Sequence, residues 1–135
     1  MNVEDIMSTE VVTVVADDTL KVVRDIFRQN NFHHLLVARD GKLRGVISDR
    51  DMLARLSPFL DTPTEQPADR EVLRLTAADI MSADPISVDR DTSIDYASII
   101  LLENGISCLP VVNGDGTIEG ILTWKDILKY HVYVA

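Results

Sequence analysis

The chain states two phrases twice, in the same order. Asp5-Ile6-Met7-Ser8 returns letter for letter as Asp79-Ile80-Met81-Ser82. Gly45-Val46-Ile47-Ser48-Asp49-Arg50-Asp51 is answered by Gly120-Ile121-Leu122-Thr123-Trp124-Lys125-Asp126, which keeps the residue class everywhere except at Asp49 and Trp124. The second pair is spaced one residue wider than the first, which places an insertion most simply in the turn Asn113-Gly114-Asp115-Gly116. A repeat constrains the fold more than composition does, because one repeat unit often cannot bury its apolar face alone. With 135 residues in all, each half would be marginal as a separate domain, so the halves are expected to share a core.

Each half reads as β-α-β-β-α. Val11 to Val15 is β-branched and bounded by Asp17-Asp18, which predicts a strand. Leu20, Val23, Ile26 and Phe27 then fall at helical spacing, with Val22 widening the stripe. Asp17, Asp18 and Thr19 offer N-cap oxygens, and the helix is expected to end near Asn30-Asn31. Asp40-Gly41 separates the apolar runs 35–38 and 43–47, a hairpin signal, and a second helix begins at Asp49. The second half repeats the order, with a strand over Ile86-Ser87-Val88 and a helix whose face holds Ile94, Ala97 and Leu101. A hairpin over 109–112 and 118–122 follows, then a last helix from Lys125 to Tyr130. Thr92 and Asp95 have capping-box spacing. Three prolines among polar residues mark Ser57 to Asp69 as a surface loop, and 71–75 as a lead-in. The organisation is therefore repeat 1 over 1–56, a loop and lead-in over 57–76, and repeat 2 over 77–135.

Composition narrows the function. The chain is 46% apolar and 26% charged, as in ordinary globular proteins. It has no run of about 18 apolar residues that would predict membrane insertion, and its start lacks the regions of a signal peptide. Cys108 is the single cysteine, so no disulfide framework is expected and a reducing cytoplasm is the natural location. A net charge of −9 without any basic block speaks against nucleic acid as partner. A small phosphorylated ligand remains compatible, because one pocket can be positive on an acidic protein.

The Gly-x-x-Ser/Thr-x-x-Asp phrase carries the chemistry. A strand ends, a hydroxyl follows, and three residues later a carboxylate stands in the first helical turn. A helix N-terminus presents free N–H groups suited to phosphate. Ser48 or Thr123 can add a hydroxyl, and Asp51 or Asp126 can accept both hydrogens of a vicinal diol such as ribose. Gly45 and Gly120 would let a ligand or a neighbouring strand approach closely. The same spacing is also a capping pattern, in which the two side chains satisfy only the helix's own N–H groups. The residues alone leave both readings open.

The repeated β-α-β-β-α order, the Asp-Ile-Met-Ser openings and the Gly-x-x-Ser/Thr-x-x-Asp endings resemble a tandem pair of cystathionine-β-synthase (CBS) domains of the stand-alone prokaryotic type. The resemblance covers nearly the whole chain. It implies an α+β fold in which two repeats pack as a pseudo-twofold module with a shared core and two clefts. It also implies a regulatory ligand of the adenosine class, namely AMP, ADP, ATP or S-adenosylmethionine, with no catalytic cofactor. By the resemblance, Asp51 and Asp126 would hold ribose, Ser48 and Thr123 would meet ribose or phosphate, and Arg50 and Lys125 would approach phosphate. Ile86 and Ile121 complete the expected ligand-binding set. The implied partners are the small-molecule nucleotide, a second copy in a homodimer, and a regulated enzyme or transporter.

The halves are unequal. Repeat 2 has Pro85 and Pro110 where repeat 1 has Val11 and Leu36, and repeat 1 has His33-His34 where repeat 2 has Ser107-Cys108. His33 or His34 is expected to contact phosphate, with binding that tightens as pH falls toward about 6.5. The alternative is that the two simply flank a strand, pointing to opposite faces. Trp124 within the motif can shield a ligand or pack. No metal-ligand spacing joins the histidines, and Cys108 before an apolar run reads as a small core residue. No base–nucleophile pair supports an enzyme. A nucleotide sensor working by population shift is the leading expectation, and a dimerisation or interaction module with non-binding clefts is its competitor.

Overall fold

A computed structural model describes residues 1–134 and divides the chain into two compact units. One is Val12–Arg39 with Arg44–Ala83. The other is Met1–Val11, Asp40–Leu43 and the chain from Asp84 onward. Each unit is thus built on one repeat whose lead-in, the opening segment that carries Asp-Ile-Met-Ser, comes from the other half, and the tip of the first hairpin, Asp40–Leu43, falls with the second unit.

The first of these units carries a four-stranded sheet in the order β1 (Thr13–Val14), β2 (His34–Arg39), β3 (Lys42–Ser48) and β4 (Ser82–Ala83). β1 runs parallel to β2, with Thr13 opposite Leu36. β4 runs antiparallel to β3, with Gly45 opposite Ala83 and Val46 opposite Ser82. The β2–β3 turn is Asp40-Gly41, both with positive φ (53° and 78°), as a two-residue hairpin of the right twist requires. Helix α1 (Leu20–Gln29) starts at Thr19, whose side chain accepts from the N–H of Val22. Leu20 and Val23 are fully buried, with Ile26 and Phe27 packed beside the core. Val22 does not widen the stripe: it is 39% exposed. The first strand is also shorter than the apolar run 11–15 suggests. Val12 and Val15 are exposed, and the Asp18 carboxylate accepts from the Val15 N–H, turning the chain toward α1.

After β3 comes helix α2 (Asp49–Leu53), then the loop. Helix α3 (Pro67–Glu71) begins inside the segment expected to be loop, with proline at its first position, where the missing N–H costs nothing. The loop is also pinned down. Leu60 is buried, and Asp61 pairs with Arg24 of α1 and Arg70 of α3. A 3-10 turn at Val72–Arg74 and helix α4 (Ala77–Ile80) complete the unit. Its core joins Val14, Leu35, Val37 and Ile47 to Ala77 and Ile80 from the second half of the sequence.

The other unit follows the same plan. β5 (Cys108–Val112) pairs antiparallel with β6 (Ile118–Thr123). The expected strand over 86–88 is reduced to one parallel bridge, Val88 with Val111, and Ser8 bridges Ile121 on the opposite edge. Helix α5 (Ile94–Asn104) buries Ile94, Ala97 and Leu101 as the spacing predicts. Its cap is not Thr92 but Ser93, which accepts from the Tyr96 N–H at 3.1 Å; the Thr92 hydroxyl instead donates to Asp89. Helix α6 (Trp124–Tyr133) is longer than expected at both ends. Here the core joins Val88, Leu109, Val111 and Leu122 to Val3 from the first half. Sharing between the halves therefore takes the form of two cores, each completed by an exchanged lead-in.

Candidate functional site

Both strand-to-helix turns form as capping boxes. At the first, Ser48 Oγ accepts from the Asp51 N–H at 3.0 Å and Asp51 Oδ2 accepts from the Ser48 N–H at 3.1 Å. At the second, Asp126 Oδ2 accepts from the Thr123 N–H at 2.9 Å and from its hydroxyl at 3.1 Å. Thr123 Oγ1 accepts from the Asp126 N–H at 3.4 Å. Each carboxylate spends only one oxygen on these bonds. Oδ1 of Asp51 and Oδ1 of Asp126 have no hydrogen-bond partner among the described residues, and both side chains are half-buried. An ionised carboxylate accepts at about four lone-pair sites, so capping and ligand binding are compatible roles for the same residue.

The turns differ in what surrounds that carboxylate. The Ser48 hydroxyl donates to no acceptor among the described residues, whereas that of Thr123 donates to Asp126. Helix α2 has only five residues and α6 has ten, so fewer peptide dipoles align behind the first turn. Arg50 and Lys125 are exposed at matching places, and neither forms an ion pair among the described residues. Asp49 donates its N–H to the His33 carbonyl at 2.9 Å, and its carboxylate meets His33 Nδ1 at 2.8 Å. His34, half-buried next along β2, is pushed below the usual imidazole pKa by burial; the nearby Asp49 and Asp51 charges oppose that shift. In the second turn Trp124 replaces Asp49. Its N–H donates to the Ser107 carbonyl at 3.2 Å, which reproduces the backbone link with a different side chain.

The remaining expected residues lie apart. Ile121 exchanges both backbone hydrogen bonds with Ser8, each 2.9 Å, and its side chain is half-buried. Ile86 is exposed and lines an open pocket of about 550 Å³ with Tyr96, Asn104 and Asn113; Thr123, Lys125 and Asp126 are not among its lining residues. Asp49 was not singled out from the sequence. The doublet Ser48-Asp49 is visible there, but its pairing with a histidine on the preceding strand is not. No group of three or more His, Cys, Asp or Glu among the described residues could hold a metal ion. Burial pushes the Cys108 thiol up to about 12, which keeps it protonated and unreactive. No helix among the described residues is long and apolar enough to cross a membrane.

Two repeats, each a helix followed by a β-hairpin that ends in a capped Gly-x-x-Ser/Thr-x-x-Asp turn and a second helix, define a tandem regulatory-type module. The CBS domain family model matches residues 3–58 and 77–133, and the chain belongs to that family as a tandem pair. It is 34% identical over 136 residues to a CBS domain-containing protein of Dictyostelium discoideum, covering 98% of this chain and 92% of that one. Two further relatives at 30% and 29% identity are longer, and the chain spans only 46% and 22% of them. Among solved structures it resembles the CBS domain pair of protein MJ0100 in complex with 5′-methylthioadenosine and S-adenosyl-L-methionine (TM-score 0.82, 25% identity, 98% and 96% of the two chains). It likewise resembles CBSX2 in complex with AMP (TM-score 0.81, 27% identity, 98% and 97%).

Proposed function

We propose that this chain is a regulatory module that binds an adenosine ligand, AMP, ADP, ATP or S-adenosylmethionine, at its two Ser/Thr-x-x-Asp turns. The observation that carries the reading is the unspent Oδ1 of Asp51 and of Asp126, poised beside a half-buried cap to accept ribose hydroxyls. Arg50 and Lys125, exposed and unpaired, would meet phosphate. His33, with its ring held by Asp49, would meet it at the first turn only. The adenosine ligands of MJ0100 and CBSX2 support the ligand class.

Occupancy would act by shifting the population of conformers or of assembled copies, which a cytoplasmic partner enzyme or transporter then reads. A second copy would seat on α5 and α6, where Ile99, Leu102, Leu128 and Val132 lie exposed at helical spacing. Light scattering on purified protein tests that assembly, and a monomer at all concentrations would remove it.

The second reading is an interaction module whose turns serve as caps alone, favoured by the completeness of both capping boxes. A thermal-shift panel on nucleotide-stripped protein separates the two. A ligand at about 100 times its dissociation constant stabilises by roughly 2.7 kcal/mol, several degrees for a domain of this size. A shift with an adenosine ligand that Asp51→Asn or Asp126→Asn reduces supports the sensor. No shift with any of the four leaves the interaction module.

A further inference from the structure

Trp124 is the chain's single tryptophan, and it is 56% exposed at the first position of α6. It packs against no other aromatic ring among the described residues, where the ring contacts are Phe27 with Phe32 and Tyr130 with His131. A large aromatic left over half in water forgoes most of the burial that would justify it as a core residue. It stands between Thr123 and Lys125, two positions before the carboxylate whose Oδ1 is unspent. Its backbone makes the link that Asp49 makes in the first turn, so the two turns share their main-chain geometry and differ in the side chain presented. One presents a carboxylate clasped to an imidazole, the other a flat indole.

We propose that Trp124 is a base-stacking residue that gives the second turn an affinity for the ligand's nucleobase which the first turn lacks. The inference rests on the adenosine-binding reading above. An indole two residues before a diol-accepting carboxylate, at the same helix start, can hold a nucleoside at both ends, with the ribose on Asp126 and the purine face on the ring. At the first turn the matching residue is Asp49, whose carboxylate is clasped to His33 and offers no indole face.

The single tryptophan makes the test specific to one turn. Full-length protein is titrated with AMP, ATP and S-adenosylmethionine in turn, following indole fluorescence and calorimetric heat together. At least one ligand is expected to change the fluorescence with the same midpoint as a calorimetric binding event. Base–aromatic stacking is worth enough that Trp124→Ala and Trp124→Leu should each weaken that event roughly tenfold or more, whereas Trp124→Phe stays within about threefold of wild type. Asp51→Asn should leave the fluorescence change intact and Asp126→Asn should remove it. Binding that Asp126→Asn abolishes but Trp124→Ala and Trp124→Leu leave unchanged overturns the stacking role while keeping the nucleotide site. A fluorescence change lost in Asp51→Asn instead assigns the signal to the first turn and also overturns it. No binding of any of the three removes both the inference and the reading beneath it.

Discussion

Met81 lies over Gly45 so closely that a Cβ on the glycine would stand 2.5 Å from the methionine sulfur and 2.9 Å from the Ser82 carbonyl oxygen. Met7 covers Gly120 in the same way, at 2.8 Å from sulfur and 2.8 Å from the Ser8 carbonyl. The two recurring phrases of the sequence are therefore the two sides of one contact, made twice. The lead-in of each half is the lid on the glycine of the other half's β-strand, and the Asp-Ile-Met-Ser aspartates cap the short turns that deliver it.

Gly45→Ala and Gly120→Ala should each destabilise the chain by about 1–3 kcal/mol, the usual cost of overpacking a filled site. The flexible methionine can move aside, but the carbonyl is part of a bonded strand edge and cannot. Gly114→Ala, with nothing within 4 Å, is the control and should change stability by less than about 0.5 kcal/mol. Urea denaturation of the three variants is the measurement. Equal midpoints for all three would show that the lead-ins do not hold the strand edges.

Asp126→Asn and Asp126→Ala separate the cap from the ligand contact. Asparagine keeps an oxygen that can accept the Thr123 N–H, so its stability should lie close to wild type. Alanine loses the cap, at about 1 kcal/mol. Both remove the charged acceptor for two ribose hydroxyls, and hydrogen bonds to charged groups are worth about 1.5–3 kcal/mol each, so nucleotide affinity should fall at least tenfold in either variant. If Asp126→Asn binds nucleotide as wild type does, the carboxylate is a cap only.

The fold was legible where the signal is local. The spacing of Leu20, Val23, Ile26 and Phe27 and the Asp40-Gly41 turn each specify their own element within a few residues. The exchange of lead-ins was not legible, because Ser82 pairs with Val46 across a long stretch of chain. A repeat tells that two phrases matter without telling which copy meets which. The strand over 86–88 failed for a related reason: among the described residues its one bridge is Val88 with Val111, so β propensity had little pairing to act on. At the site, Ser48 with Asp51 and Thr123 with Asp126 could be read from spacing three apart. The His33–Asp49 pair joins residues on different elements, and no periodicity announces it.

Acid should loosen the chain through its aspartates. Asp61 is held below the usual carboxylate range by its hydrogen bonds to Arg24 and Arg70, Asp79 by the N–H and hydroxyl of Thr76, and Asp115 by Thr117. A depressed carboxylate stabilises the fold above its unfolded pKa near 3.8, and that contribution is lost as pH falls through the lower folded value. The aspartates' share of the melting temperature should therefore be flat from pH 7 to about 5 and drop below about 4. Asp61→Asn should release the 57–66 loop at neutral pH, read as faster proteolytic cleavage there. An unchanged cleavage rate would mean that Leu60, not the ion pairs, holds the loop.

His34 acts in the opposite part of the scale. Burial lowers its pKa from 6.5, so between the folded and unfolded values the unfolded chain binds the proton more readily. Stability from His34 is thus present above about pH 6.5 and declines as pH falls below it. His34→Gln should flatten the melting curve between pH 7.5 and about 5.5 without changing the acid limb set by the aspartates. Ligand binding depends on pH with a different sign: a proton taken up by His34 adds positive charge beside the first turn, so phosphate ligands should bind more tightly at pH 6 than at pH 8. Calorimetry with AMP at both pH values, on wild type and on the His33→Ala, His34→Ala double variant, compares the slopes. If the double variant keeps the wild-type slope, neither histidine meets phosphate.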